Sequence, residues 1–135
     1  MDDCLFCKIV KGEIPCSKIY EDDKMIAFLD IRPTNKGHTL IVPKEHHLDL
    51  TEMPDDLLSA VAVLSKKIAK AVLTAVNADG VNIIQNNKGA AGQLVMHYHL
   101  HVVPRFSNDG FKHWPGKELP EEEMKEIQEK IKSSI

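Results

Sequence analysis

The segment His97-Tyr98-His99-Leu100-His101-Val102-Val103 constrains this chain more than any other. It alternates imidazoles with apolar side chains, a period of about two that fits an extended strand and not a helix. His97, His99 and His101 therefore share one face of the strand, and Tyr98, Leu100 and Val102 share the other. The second face is ordinary sheet core. The first places titratable rings where Val or Ile would pack better, and a buried polar group is costly unless it is bonded.

Three readings of the histidine face are open. The rings can be partly exposed or hydrogen-bonded side chains with no role. They can ligate a zinc ion that keeps a position free for water. Or a neutral imidazole nitrogen can attack phosphorus, since the phosphorylated imidazole is then a good leaving group. The residues just upstream favour the third. Asn86-Asn87-Lys88-Gly89-Ala90-Ala91-Gly92-Gln93 is a polar, glycine-bearing loop. Its backbone N–H groups can approach an anion closely, and Asn86 and Gln93 can donate neutral hydrogen bonds. A metal site has no need of such a loop.

The rest of the chain supplies partners for this strand. Lys18 to Leu29 reads as a hairpin turning at Glu21-Asp22-Asp23, Gly37 to Pro43 as a short strand, and Val81 to Gln85 as another. The histidine strand itself is expected over Val95 to Arg105. Leu57, Val61, Leu64, Ile68, Val72 and Val76 form one helical stripe over Pro54 to Val76, with Asp55 and Asp56 in the first turn and Asn77 and Gly80 as the stop. Pro54 suits the first helical position. Pro120 opens a last helix, about 120–133, with a narrow apolar face at Met124, Ile127 and Ile131. The expectation is an α+β domain over 1–135: a mainly antiparallel five-stranded sheet, one long helix, a C-terminal helix, and an N-terminal Cys-x-x-Cys segment over 1–16.

At 135 residues, 43% hydrophobic and 27% charged, the chain has enough material for one core. A net charge of −3 with no polybasic run argues against a nucleic-acid partner. No apolar run is long enough for a bilayer, and Met1-Asp2-Asp3 lacks a positive, apolar signal segment, so no membrane partner and a cytoplasmic location are expected. The three cysteines are too few for a disulfide framework.

Taken together, His97-x-His99-x-His101-Val102-Val103 after Gly92-Gln93, the loop Asn86, and Gly37-His38-Thr39-Leu40-Ile41-Val42-Pro43-Lys44 after Phe28-Leu29-Asp30-Ile31 resemble the histidine triad (HIT) family, nearest its Hint-like branch of small bacterial or archaeal type. The resemblance runs from Cys4 to Arg105. It implies a homodimer with a sheet continuing across the interface, and a ping-pong reaction at the α-phosphate of a purine nucleoside monophosphate conjugate. His99 would be the nucleophile, its other nitrogen held as a donor to a carbonyl. His97 completes the catalytic triad. His101 and His38 would lie against the phosphate oxygens, and Gln93, Asn86 and the Gly92 backbone would position the α-phosphate. Asp30 would hold the ribose hydroxyls, and Phe28 and Ile31 would enclose the base. Leu94 departs from the pattern, standing where some relatives carry a serine whose hydroxyl can reach the phosphate.

The resemblance also bears on Cys4-x-x-Cys7, which alone can mean metal, redox chemistry or packing. Some triad relatives hold zinc on a Cys-Cys-His-His set, and the matching set here is Cys4, Cys7, His46 (or His47) and His97. Cys16 reads as a structural thiol, Lys88 as solvated, and Arg105 as a surface ion pair. Phe111 to Pro115, with His113 and Trp114, packs under the last helix or borders the site. The activity expected first is phosphoramidase-like nucleotide hydrolysis. Dinucleoside polyphosphate hydrolysis, a nucleotide-binding regulator with little turnover, and a zinc hydrolase using the three histidines directly are the alternatives.

Overall fold

The computed structural model describes residues 3–135; Met1 and Asp2, part of the leader reading, lie outside the described residues. The elements are α1 (Leu5–Val10), β1 (Lys18–Glu21), β2 (Met25–Leu29), β3 (Thr39–Pro43), α2 (Asp55–Ala75), β4 (Gly80–Gln85), β5 (Leu100–Arg105) and α3 (Glu121–Ser134). The strands form one five-stranded antiparallel sheet in the order β1-β2-β3-β5-β4. This is the expected α+β arrangement. Among the described residues, no helix is long and apolar enough to cross a membrane.

α2 follows from its stripe. Leu57, Val61, Leu64, Ile68 and Val72 recur every three or four residues and are all buried. They pack on Met25, Ala27, Ile41, Tyr98, Leu100 and Val102 of the sheet. Fully burying each such side chain contributes about 1.5–3 kcal/mol. Pro54 stands one place earlier than expected, as the N-cap with extended backbone. At the other end Asn77 takes a left-handed φ of 53° and turns the chain back to the sheet. β3 is buried along its whole length because α1 covers its second face: Phe6 and Ile9 pack against Ile26, Phe28, Leu40 and Val42.

Three expectations need correction. First, β5 begins at Leu100 rather than Val95. Both neighbours of β5 start pairing there, Ile41 and Gln85 each opposite Leu100. Upstream, the His97 N–H turns back to the Val95 carbonyl (2.9 Å) and the Tyr98 N–H reaches the His47 carbonyl (2.7 Å). With their hydrogen bonds made outside any ladder, these residues are not sheet. Alternation survives nonetheless: Tyr98, Leu100 and Val102 all enter the α2 core. Second, residues 5–10 form a helix inside what was read only as a Cys-x-x-Cys segment. Cys4 is its N-cap, its sulfur accepting the Cys7 N–H at 3.4 Å. Third, α3 buries none of its residues, and Met124, Ile127 and Ile131 stay at least 38% exposed. Phe111 to Pro115 neither packs under it nor reaches the site. Trp114 is 90% exposed and His113 lies near Arg105 and Asp109. Arg105 itself makes the expected ion pair, a two-pronged contact with Asp109 (2.8 and 3.1 Å).

Candidate active site

A cavity of about 380 Å³ opens between α1, the end of β2 and the 86–95 loop. Phe28, Asp30, Ile31, Asn86, Gly92, His99 and His101 all line it, so most of the residues predicted for nucleotide contact are brought together. Gly92 has a left-handed φ of 92°, and a side chain there would meet the Asn86 amide at 3.6 Å. That contact is ordinary; it is the left-handed backbone that calls for glycine.

The hydrogen bonds fix which nitrogen of each ring carries its proton. His99 Nδ1 lies 2.8 Å from the His97 carbonyl oxygen, which only accepts. Nδ1 is therefore the N–H, and Nε2 keeps its lone pair for the cavity. Burial pushes the His99 pKa down, which keeps the ring neutral. The Phe6 ring packs edge-on against it at a centroid distance of 5.0 Å.

A second chain runs behind His101. The Thr34 N–H donates to His38 Nδ1 (3.0 Å), so the neutral His38 ring bears its proton on Nε2. That N–H faces His101 Nδ1 at 2.9 Å and donates to it. His101 is left with its proton on Nε2. Burial, reinforced by the neighbouring His99 and His38, pushes His101 down to about 4, and burial also lowers His38 despite Asp30 Oδ2 at 3.6 Å. Both rings are neutral near pH 7, as the chain of donors requires. A lone pair and an N–H, on His99 and His101, thus stand on rings 4.9 Å apart.

The third cluster has the opposite logic. His97 Nε2 donates to the Pro43 carbonyl (2.8 Å), leaving the Nδ1 lone pair free. His97 Nδ1 lies 3.1 Å from His46 Nδ1, 3.4 Å from Cys4 Sγ and 3.5 Å from Cys7 Sγ. Tetrahedral zinc with two sulfurs and two nitrogens sets its ligand atoms about 3.4–3.8 Å apart. The fit is close, and Cys4, Cys7, His46 and His97 form a group that can hold a metal ion. His46, not His47, takes this place; His47 Nε2 is buried without a hydrogen bond. Desolvation lowers His97 to about 4, and burial, with Cys4 alongside, raises the Cys7 thiol. A cation at the centre would be met by lone pairs rather than by protons on nitrogen. Asp30, His38 and His101 are also clustered, but the facing nitrogens there are already donor and acceptor to each other.

Three of the predicted residues, Gln93, His38 and His97, do not line the cavity. Gln93 is 2% exposed and does not reach the cavity. Its oxygen accepts the Lys88 N–H (2.7 Å), and its amide donates to the Leu48 and Val95 carbonyls (2.7 and 3.1 Å). It holds the loop. His38 stands behind His101, with both its nitrogens engaged. The His97 ring belongs to the metal-type cluster, and it is the His97 carbonyl that serves His99. Sequence reasoning missed the α1 wall, Leu5, Phe6 and Ile9, and the presence of Cys16 in the same cavity. The spacing of Leu5, Phe6, Ile9 and Val10 was the available signal.

The fold and the cavity define a small α+β protein whose cavity wall carries two neutral imidazoles, the His99 ring with a free Nε2 lone pair and the His101 ring with its proton on Nε2. The chain matches the HIT domain over residues 11–108 and belongs to that family. It is 42% identical to the adenosine 5′-monophosphoramidase of Schizosaccharomyces pombe over 135 residues, covering 98% of each chain. A solved structure from Streptococcus mutans UA159 superposes with a TM-score of 0.93 at 46% identity, covering 99% of this chain and 86% of that one. A zinc-bound histidine triad protein from Mycobacterium smegmatis gives a TM-score of 0.79 at 38% identity, covering 99% of both.

Proposed function

We propose that this chain hydrolyses nucleoside 5′-monophosphate conjugates at the α-phosphate, with phosphoramidates as the preferred class. The observation that carries the reading is the His99 ring: Nδ1–H tied to the His97 carbonyl at 2.8 Å, Nε2 free, on the cavity wall. The similarity to an adenosine 5′-monophosphoramidase supports the same reading. His99 Nε2 attacks phosphorus and forms a P–N bond. The bond to the leaving nitrogen breaks, its electron pair staying on that nitrogen, which takes one proton from water while the His101 Nε2–H hydrogen-bonds to the phosphate. The hydroxide left behind then attacks the phosphorus. The His99–phosphorus bond breaks, its pair returns to Nε2, and the monophosphate leaves. Fixed orientation supplies much of the rate, and the Asn86 amide with the Gly92 backbone faces the developing phosphate charge. Asp30 binds the ribose, and Phe28 and Ile31 border the base.

Cys4, Cys7, His46 and His97 are the residues that would hold zinc, which would tie α1 to the histidine segment as a structural cross-link. The free edge of β4, with Ile83 46% and Ile84 39% exposed, supports a homodimer whose sheet continues across two copies. The test is release of the monophosphate from adenosine 5′-phosphoramidate. Release that vanishes in His99→Ala and survives chelation supports the reading. Release that persists in His99→Ala, or that chelation abolishes while the fold is intact, overturns it.

A further inference from the structure

Cys16 takes no part in either histidine cluster, yet it lines the cavity. It lies between α1 and β1, next to Ser17, whose carbonyl accepts the Leu29 N–H at 3.0 Å. That bond, with Lys18 paired opposite Phe28, sets the thiol beside the end of β2. There Cys16 packs with the Phe28 cluster and lines the cavity together with Ile14, Pro15, Phe28 and Ile31. Two of these are the side chains proposed to border the base. The other two cysteines are engaged elsewhere. The Cys4 and Cys7 sulfurs lie 3.4 and 3.5 Å from His97 Nδ1, and neither residue lines this cavity. Cys16 is partly exposed, and among the described residues no hydrogen bond engages its sulfur.

A second group points into the same space. His99 is 6% exposed, and its Nε2 has no partner and opens into the cavity. A buried nitrogen left unbonded marks a space built to receive a ligand. At about 380 Å³ the cavity lies near the small end of the roughly 300–1,000 Å³ range of ligand sites, so it has room for a nucleoside or for a thiol adduct and not for both. β1 is the sheet edge opposite β4, so a dimer paired along β4 does not pair over Cys16.

We propose that Cys16 is a reversible modification site that closes the nucleotide cavity: exchange with a low-molecular-weight disulfide leaves one half of that disulfide on the sulfur, in the place of the base. This rests on reading the cavity as the nucleotide site. The Cys16 thiolate, its proton released to water, attacks one sulfur of the disulfide. A new S–S bond forms, and the old one breaks with its electron pair on the departing sulfur, which takes a proton from water and leaves as free thiol. Excess thiol reverses the exchange by the same route. Because exchange needs an open path to the sulfur, a bound nucleotide slows it.

For the test, the folded protein is incubated with glutathione disulfide, with and without excess AMP. AMP sites per chain are then counted by calorimetry, and peptide mass mapping gives the fraction of each cysteine that carries glutathione. The sites are expected to fall in proportion to the fraction of Cys16 modified, to return with dithiothreitol, and to be spared where AMP was present during treatment. Cys16→Ser, read against its own untreated sample, should keep its sites; the proportionality in the wild type needs no variant. A Cys16 that is modified only after unfolding in urea overturns the proposal, as does a Cys16 adduct that leaves the AMP sites intact. A loss as large in Cys16→Ser assigns the effect to Cys4 or Cys7 and overturns it too. Since binding is counted and not turnover, a protein that binds AMP but releases none from a phosphoramidate fails the hydrolase reading alone. No AMP binding by the untreated folded protein overturns the nucleotide reading, and the proposal falls with it.

Discussion

His97 and His99 are two residues apart, both buried, both neutral, and each donates one N–H to a backbone carbonyl. They differ in which nitrogen donates. His97 gives up Nε2 and turns Nδ1 toward two sulfurs and another imidazole; His99 gives up Nδ1 and turns Nε2 toward an open cavity. Around His97 the free lone pairs converge on one point, which suits a cation. Around His99 and His101 a lone pair stands beside an N–H, which suits a bond-making and hydrogen-bond-donating pair. Identical side chains in similar burial acquire different chemistry from the carbonyl that each one meets.

The sharpest way to break this comparison is His99→Ala. Turnover of a phosphoramidate should fall by about 10⁴-fold or more, as for other essential nucleophiles, while bound metal measured by elemental analysis stays at the wild-type level. Cys7→Ser should do the reverse at first order. Metal content should fall, and the thermal midpoint should drop by many degrees because binding energy at such a site is folding energy. Unchanged metal content in that variant would separate Cys7 from the cluster. Next in size is Gln93→Leu. It leaves the Lys88 N–H and the Leu48 and Val95 carbonyls without their buried partner, so stability measured in urea should fall by about 2–3 kcal/mol. Activity lost without that destabilisation would return Gln93 to the phosphate site.

The smallest effect is on pH. His101 is held at about 4, below the ordinary imidazole value, so the unfolded chain binds more protons between the two. Its contribution to stability is complete above about pH 6.5 and is lost as the pH falls through about 4. The kcat/KM profile should accordingly decline as pH approaches 4, where a second proton on His101 Nδ1 would confront the His38 N–H. His101→Gln should lessen the slope of the stability profile in that window, to which His97, also held at about 4, contributes; an unchanged slope would remove His101 as a source.

Much of this was legible in the residues because two periodicities are strong. The four- and three-residue steps from Leu57 to Val72 set α2, and the alternation from His97 to Val102 set which rings share a face. The alternation held even where the ladder did not: Val95 to His97 bends outside the sheet, and the Tyr98 N–H is taken by the His47 carbonyl. The direction of a side chain is harder to read than its identity. Nothing local tells that the Gln93 amide turns inward to the loop, or that His38 sits one ring behind His101. Each depends on contacts across tens of residues of sequence, such as Gln93 to Leu48 and His38 to His101. α1 was hidden by brevity, since six residues with a cysteine cap carry little periodic signal.

That short helix bears on how portable the chemistry is. The region shared with the family model begins at residue 11, yet Cys4, Cys7 and Phe6 precede it. A chain trimmed to the matched span would keep His38, His97, His99 and His101 and lose half of the metal-type ligand set together with the aromatic edge seated on His99. Its backbone would still spell the family motif, but the His99 ring would no longer be guarded from the side where the N-terminal residues stand. Transplanting this histidine segment into another scaffold therefore means carrying α1 and its cysteines with it.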